Sequence, residues 1–323
     1  MKKYHTISVV LPAYNGLPLI KQAVESVLNQ NFSDFEFIIT DDKSTDGTYE
    51  YLESIRDHRI RLVQNEVNLG LFPNLNRGIK MANNELIHLW LQDDIMLPDC
   101  LLQTIKFHNR YPEMAFAFSK YLLIDSNGIV IGVNPINPND LINVEGHAIS
   151  SLLYGSISGN ITNVSLKKSD VERVGYFNES MKYSGDFDMW CKLSDTKPVG
   201  LIQQHLIKLR RHKNQLSQKP YMWIHRLKEN KQIFDAFLQR VPEKKRFYLI
   251  KAIKWRIYNQ YFSLFFRLIL IKKFNLAKEY AIELNKHHNL GLQFFRWLIL
   301  KILKIVDKDR WLLNVLFFNK LRS

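Results

Sequence analysis

Short apolar runs rich in β-branched residues alternate with segments of helical spacing through the first part of the chain. "TISVVLP" (6–12), "FEFIITDD" (35–42) and "RIRLVQN" (59–65) have the character of buried strands. Between the first two, apolar residues such as Ile20 and Val24 recur at helical spacing. Strands separated by helices of this length predict an α/β fold, with a mostly parallel, Rossmann-like sheet and helices on both faces.

Polar clusters follow three of the predicted strands. Tyr14 and Asn15 follow the first strand, Asp41 and Asp42 close the second, and the pair Asp93–Asp94 ends the strand predicted from residue 86. Parallel strands share the edge at which they end, and ligands of such sheets bind there. The pattern therefore predicts one ligand-binding edge.

The Asp93–Asp94 pair is typical of a Mg²⁺ or Mn²⁺ site. Both ions prefer oxygen ligands, and Mg²⁺ commonly binds through one or two carboxylates together with substrate phosphates. The alternative is a solvated turn or a helix cap before Pro98. The position of the pair at the predicted ligand edge favours the metal.

Charge divides the chain into two parts. Residues 1–204 hold 18 Lys and Arg against 24 Asp and Glu, whereas residues 205–323 hold 27 against 7. We predict one domain over 1–217, which includes the turn-rich stretch 134–140. A basic helical C-terminal region is predicted over 218–323.

Two further stretches carry candidate chemistry. "YSGDFDMW" (183–190) offers Asp186 and Asp188, of which one could act as a general base and either could cap a helix. "RRHKNQLS" (210–217) offers His212 as a metal ligand beside cationic residues that could contact a diphosphate. Taken alone, the second stretch could equally be a solvated basic loop.

In order along the chain, these motifs resemble family 2 glycosyltransferases of the GT-A fold. The matching segments are "ISVVLPAYNG" (7–16), "QNFSDFEFIITDDKSTDGT" (30–48), "NLGLFPNLNRGI" (68–79), "LQDDIMLPD" (91–99), "VGYFNESMKYSGDFDMW" (174–190) and "RRHKNQLS" (210–217). The resemblance implies inverting transfer of a hexosyl or N-acetylhexosaminyl group from a nucleotide-diphosphate sugar, with a UDP-sugar as the favoured donor. The implied cofactor is Mn²⁺ or Mg²⁺. The resemblance also implies that 1–217 is the catalytic domain, with nucleotide-sugar binding over about 1–121 and an acceptor part over about 122–217.

The resemblance also assigns roles to individual residues. The implied roles are nucleoside binding for Pro12, Tyr14 and Asp42, ribose or sugar binding for Asp93, metal binding for Asp94 and His212, general base catalysis for Asp186, and acceptor contact for Trp190. Two positions depart from the family pattern. Leu91 stands where many members have another aspartate, and Gly185 stands where the residue before the base is often glutamate.

The C-terminal region has helices whose aromatic and aliphatic residues lie beside lysines. Phe294 and Trp297 accompany Lys301, Lys304 and Lys308, a pattern that suits the surface of an anionic membrane. A helical bundle packed on the catalytic domain is the alternative. The implied acceptor is a glycan or a lipid-linked glycan of bacterial surface polysaccharide synthesis. The expected location is the cytoplasm, with peripheral contact at the inner face of the cell membrane.

Two other classes of function remain open from the residues. A sugar nucleotidyltransferase also pairs carboxylates with a metal, but "LPAYNGLPLI" lacks the glycine-rich basic loop expected after its first strand. A non-enzymatic protein that binds nucleic acid or a membrane would suit the basic C-terminal region. Because the aromatics there belong to aliphatic-rich helices and not to stacking platforms, no nucleic-acid partner is expected.

Overall fold

The computed structural model describes residues 3–133, 139–213, 215–287 and 289–305. The chain forms two compact units. One contains residues 1–144 and 158–215, and the other contains residues 145–157 and 216–323. The predicted turn over 134–140 and Lys308 lie partly or wholly outside the described residues.

The first unit is built on one mixed sheet. Its strands are β1 Ile7–Ala13, β2 Phe35–Asp41, β3 Ile60–Gln64, β4 Leu86–Leu89, β5 Ile95–Met96, β6 Phe116–Ile124, β7 Val130–Val133, β8 Leu141–Ile142, β9 Val164–Lys167 and β10 Val199–Arg210. They run in the order β3-β2-β1-β4-β9-β6-β10-β5, with β7 beside β6 and β8 beside β10. Six of these ten strands point the same way, because β9 is antiparallel to both of its neighbours. The predicted α/β fold is confirmed.

Helices cover both faces of the sheet. Those of the first unit are α1 Leu19–Leu28, α2 Thr48–Ser54, α3 Leu71–Met81, α4 Cys100–Arg110, α6 Lys168–Arg173 and α7 Gly185–Leu193. Alternate β1 residues Val9 and Leu11 enter the core formed with α1, α2 and α4. Val10 faces α3 on the other side, where a Cβ on Gly78 would lie 2.6 Å from its Cγ1. Gly78 therefore lets α3 lie close to the sheet.

The second unit is helical. It contains α8 Met222–Gln239, α9 Glu243–Leu270, α10 Phe274–His287 and α11 Leu290–Ile305. It also takes most of α5 Val144–Tyr154, a segment that the sequence pattern assigned to the acceptor part of the catalytic domain. The His147 ring lies 5.6 Å from that of Phe237, and Glu145 pairs with Lys245 at 3.5 Å. In the described part of the chain, no helix is long and apolar enough to cross a membrane.

Candidate active site

The loop after β1 is fixed by the side chain of Gln92. In β1, Val10 accepts a hydrogen bond from Trp90 N at 2.9 Å, which is the last backbone bond to the β4 side. Four residues after Val10, Tyr14 N donates to Gln92 Oε1 and Tyr14 O accepts from Gln92 Nε2, both at 2.9 Å. The buried Pro12 lies between Val10 and Tyr14, and its nitrogen faces the β4 side of β1. Because β4 has already diverged there, the missing N–H of the proline costs no hydrogen bond between strands.

Glycine at position 16 makes this arrangement possible. A Cβ there would lie 2.7 Å from Gln92 Oε1, which is too close for any real contact. The segment that follows β2 holds the other side of the loop. Ser44 Oγ accepts from Asn15 N and Thr48 Oγ1 accepts from Gly16 N, both at 2.9 Å. The loop thus presents the Tyr14 side chain, 46% exposed, at the edge of the sheet.

Asp42 is buried and organises the start of α3. Its Oδ1 accepts from Asn65 Nδ2 at 2.6 Å and from Leu69 N at 2.8 Å, and its Oδ2 accepts from Gly70 N at 2.8 Å. Asn65 is held in turn by Arg77, which donates to its Oδ1. The Asp42 carboxylate therefore fixes the loop before α3, and Oδ2 keeps acceptor capacity for one more donor.

Pairing between β5 and β10 brings the acidic pair to the basic loop. The register Met96↔Ile207 and Ile95↔Lys208 continues so that Asp93 lies opposite Arg210. Beyond the strand, His212 Nε2 reaches Asp93 Oδ2 at 3.1 Å, with both side chains partly exposed. The structure therefore pairs His212 with Asp93, whereas the sequence pattern grouped it with Asp94.

Asp94 is enclosed. Its residue surface is only 2% exposed, and its Oδ1 accepts a hydrogen bond from Arg210 N at 2.8 Å. Burial is the main reason that the pKa of this carboxyl is raised to about 7. The side chain thus anchors β10 beside the 93–94 turn.

Arg210 connects the 93–94 turn to the segment after β6 and to α1 through its hydrogen bonds. Its Nε donates to Asp93 O at 2.9 Å, its Nη1 to the carbonyls of Asp125 and Ser126 at 3.3 and 3.1 Å, and its Nη2 to Gln22 Oε1 at 2.8 Å. All three guanidinium nitrogens of this buried side chain already donate to protein acceptors, so of the cationic residues in the basic loop Arg210 does not serve a diphosphate. Its exposed neighbours Arg211 and Lys213 remain candidates for that contact.

Two donor groups at this edge fit a divalent cation. The Asp93 carboxylate and the His212 imidazole lie 3.1 Å apart and are both accessible. Among the described residues no cluster of three or more His, Cys, Asp or Glu is arranged as a complete metal cage. A Mg²⁺ bound at a phosphate site takes few protein ligands and completes its shell with phosphate oxygens and water, so a two-donor site is compatible with it.

Asp186 lies in the first turn of α7, and α7 is seated against the start of α3. A Cβ on Gly185 would lie 2.6 Å from the Phe72 ring, so this ring occupies the space that a side chain at position 185 would need. The contact brings the start of α7 beside the loop held by Asp42. Asp186 is partly exposed, and its Oδ1 accepts from Phe187 N at 2.7 Å.

The position of Trp190 differs from the predicted one. The sequence pattern predicted an acceptor contact, but the side chain is fully buried and packs against Phe116 and Phe177 with ring centroids 5.1 and 6.1 Å away. Its contact with Phe116 of β6 shows that Trp190 lies on the side of α7 that faces the sheet. The polar side of the same helix instead borders a cavity of about 420 Å³, where Asp188 and Lys192 form an ion pair at 3.0 Å.

Comparison with known proteins shows which family this sequence is related to. The sequence model of "Glycosyl transferase family 2" matches residues 8–129. A glycosyltransferase of Rickettsia conorii is 31% identical over 221 residues, which cover 67% of this chain and 36% of that protein. Residues 8–129 of the chain belong to glycosyl transferase family 2.

Other relatives of this chain broaden the comparison. The chondroitin synthase of Escherichia coli is 28% identical over 209 residues, covering 63% of this chain and 29% of the synthase. The chain spans about a third of the length of the first Rickettsia relatives that it matches. The crystal structure of S. aureus TarS 1-349 in complex with UDP-GlcNAc aligns with a TM-score of 0.57 and 18% identity, covering 76% of this chain and 87% of TarS 1-349. The likeness confirms the GT-A fold.

Gln92 is the residue of this site that sequence reasoning missed, and Arg210 is one to which it gave a different role. Both act through hydrogen bonds to backbone atoms distant in the sequence, and no local pattern reports such bonds. A signal did exist for Arg210, because it follows an apolar run and directly precedes Arg211 and His212. An arginine at the end of a buried strand needs internal partners.

Proposed function

We propose that the protein is an inverting, metal-dependent glycosyltransferase. It would move a sugar from a nucleotide-diphosphate sugar, with a UDP-sugar as the proposed donor, to a hydroxyl of a glycan or lipid-linked glycan. The observation that carries the proposal is the Asp93–His212 pair, 3.1 Å apart at the sheet edge that also bears Tyr14. UDP-GlcNAc and UDP bound to TarS support the choice of donor.

In this proposal, the end of β1 and the start of α3 receive the nucleoside. The exposed Tyr14 ring offers a surface for a base or ribose, and Asp42 keeps one acceptor position for a base N–H. Pro12 shapes the floor as a buried strand residue. Preformed hydrogen bonds from Gln92 to Tyr14 reduce the ordering that donor binding would require.

The diphosphate would lie by Asp93 and His212. A Mn²⁺ or Mg²⁺ held there would supply positive charge for the leaving nucleoside diphosphate. The roles of the two aspartates are therefore exchanged relative to the sequence-based expectation: Asp93 becomes the proposed metal ligand, and Asp94 holds β10 in place. Arg211 and Lys213 add exposed positive charge in the same loop.

Asp186 is the proposed general base. It would take the proton of the acceptor hydroxyl while that oxygen attacks the anomeric carbon from the face opposite the diphosphate. The bond from the anomeric carbon to the phosphate oxygen breaks, and its electron pair leaves with the nucleoside diphosphate. Attack from the opposite face inverts the anomeric centre, and the transition state has oxocarbenium character.

The acceptor would approach Asp186 at the start of α7. The cavity of about 420 Å³ bordered by Asp188 and Lys192 lies on another side of this helix, because residues two apart point about 200° from one another, and Asp186 does not line it. The relation to chondroitin synthase supports a role in polysaccharide synthesis. The proposed location is the cytoplasm, at the inner face of the cell membrane, where a lipid-linked acceptor would be presented.

A donor panel tests the proposal. UDP-, GDP- and dTDP-linked hexoses and N-acetylhexosamines are screened with Mn²⁺ by thermal shift and by release of the nucleoside diphosphate. We expect a UDP-sugar to stabilise the protein and to be turned over. Asp186→Asn should keep donor-induced stabilisation but lower turnover at least about 100-fold, the scale of general base catalysis.

Asp188→Asn is the matched control for Asp186→Asn, because it changes the same group two residues away in the same helix. It should lower turnover much less. Near-normal turnover by Asp186→Asn would remove Asp186 as the base. A panel without any response would contradict the proposed activity.

A further inference from the structure

Helix α11 exposes a continuous apolar stripe. Leu292, Phe295, Ile299 and Ile302 recur at spacings of three and four residues and therefore lie along one side of the helix. Their exposed fractions are 57%, 61%, 42% and 54%. Contiguous apolar surface of this kind marks an interaction site more often than scattered exposed residues do.

The opposite side of α11 is already packed on α9. Gln293 donates to Asn259 Oδ1, and Trp297 Nε1 donates to Ser263 Oγ at 2.9 Å. The Trp297 ring also stacks on Phe266 at 4.8 Å. Successive contacts advance together along both helices, so α11 runs parallel to α9 and its last turn comes level with the end of α9.

The turn between α9 and α10 lies at the end of the unit that the last turn of α11 also reaches. Leu270 is 80% exposed and Phe274 is 62% exposed. Lys272 and Lys273 stand between them, and both are exposed. The turn therefore presents apolar side chains directly beside cationic groups.

The charge of this part of the chain is one-sided. Residues 267–305 contain eight Lys and Arg against two Asp and Glu, and residues 290–305 contain three basic residues and no acidic one. An apolar helix face with basic residues around it is the pattern of helices that lie in the interface of an anionic bilayer. A protein partner would need an apolar and strongly acidic face to match it.

We infer that the α9–α10 turn and the exposed face of α11 form a docking surface for an anionic lipid bilayer. Phe274, Leu270 and the α11 stripe would enter the region between headgroups and acyl chains. Lys272 and Lys273 would contact the lipid phosphates. The inference rests on the second unit alone and does not depend on the transfer reaction.

Vesicle sedimentation with the full chain tests this surface. The protein is mixed with phosphatidylcholine vesicles containing 30% phosphatidylglycerol, or with pure phosphatidylcholine, at low and high salt. We expect binding to the anionic vesicles at low salt, weaker binding at high salt because the attraction is screened, and little binding to pure phosphatidylcholine.

Single substitutions locate the contact. Phe295→Ser should lower the vesicle partition coefficient about tenfold, in line with the loss of one buried aromatic side chain. Phe247→Ser is the matched control, because Phe247 is 58% exposed in the same helical unit but lies about 35 Å along α9 from the turn. It should leave binding unchanged, and circular dichroism should show both variants folded.

Three results would overturn the inference. Equal losses for Phe295→Ser and Phe247→Ser would show that this face is not the contact. Absence of vesicle binding together with a dimer in light scattering would assign the face to a second copy. Absence of binding by a monomer would remove the bilayer as the partner of this face. Vesicle binding is measured without any sugar donor, so its outcome is separate from that of the donor panel.

Discussion

At the scale of single residues, Arg210 supports the site most directly. One buried side chain reaches the Asp93 carbonyl, two carbonyls after β6 and Gln22, while its backbone N–H binds Asp94. The planar guanidinium can serve these acceptors at once because its donors point in fixed directions. Lysine has a single ammonium group and cannot reproduce that set of bonds.

Arg210→Lys should therefore destabilise the protein and misplace Asp93. We expect a loss of about 2–4 kcal/mol in the free energy of unfolding, since several buried carbonyls lose their donors. Affinity for UDP in the presence of Mn²⁺ should fall as well. Denaturant unfolding and calorimetric titration measure the two effects. Arg211→Lys, at an exposed neighbour, is the control, and equal behaviour of the two variants would contradict this role.

Buried histidines predict how stability depends on pH. His108 is fully buried, its Nε2 lies 2.9 Å from Ser165 Oγ, and burial lowers its pKa to about 3. The unfolded chain takes up a proton near pH 6.5, whereas the folded protein does not until about pH 3. The stability that this neutral histidine contributes is complete above pH 6.5 and is lost as the pH falls below it.

His108→Gln removes that titration and should flatten the acid side of the stability profile. Between pH 8 and pH 5, the native protein should lose about 2 kcal/mol more than the variant, from a pKa difference of this size. Urea unfolding at each pH gives the comparison, with the exposed His58→Gln as the control. Parallel profiles for the native protein and His108→Gln would show that His108 does not titrate as described.

Sequence reasoning succeeded at some residues and failed at others for physical reasons. Asp93 and His212 were singled out, but their pairing depends on the β5–β10 register, and β5 has only two residues. Trp190 failed because the helix rotation that turns it inward comes from tertiary packing. An aromatic residue in a short acidic helix carries no local sign of that rotation.

At the scale of elements, the junction of α3 and α7 determines where Asp186 sits. Phe72 packs so closely on Gly185 that a side chain at 185 cannot fit without movement. The ring also stacks on Phe177 at 5.8 Å, which fixes its position. This packing is the structural reason for one departure from the family pattern.

Gly185→Ala should push α7 away from α3. Overpacking of this kind costs about 1–3 kcal/mol, and the shift should lower turnover more than donor affinity, because the proposed base moves while the nucleoside loop stays. Thermal unfolding and steady-state kinetics measure both. Adding Phe72→Leu should recover part of the loss. A double variant that is no better than Gly185→Ala would argue against this contact.

The long, strongly patterned elements were predictable and the short ones were not. Strands β1, β2 and β10 carry enough apolar residues for their sequences to indicate a strand. Strands β5 and β8 have two residues each, and β7 is largely exposed, so they form only because a longer strand offers its edge.

At the scale of the whole molecule, the two parts differ in chemistry as the charge count indicated. The first unit collects acidic and polar residues at one sheet edge, and the second carries most of the excess positive charge. The division in space is less simple than the division in sequence, because 145–157 belongs to the helical unit. Its buried residues Ala148 and Leu152 give no sign in the sequence of which unit they enter.

The central claim is that Asp93 and His212 hold the divalent cation that secures a nucleoside diphosphate. Calorimetric titration of UDP with and without Mn²⁺ tests it in the native protein, in His212→Ala and in the exposed control His205→Ala. We predict that Mn²⁺ raises UDP affinity at least about tenfold, or about 1.4 kcal/mol, in the native protein and in His205→Ala but not in His212→Ala. An undiminished Mn²⁺ effect in His212→Ala would contradict the claim.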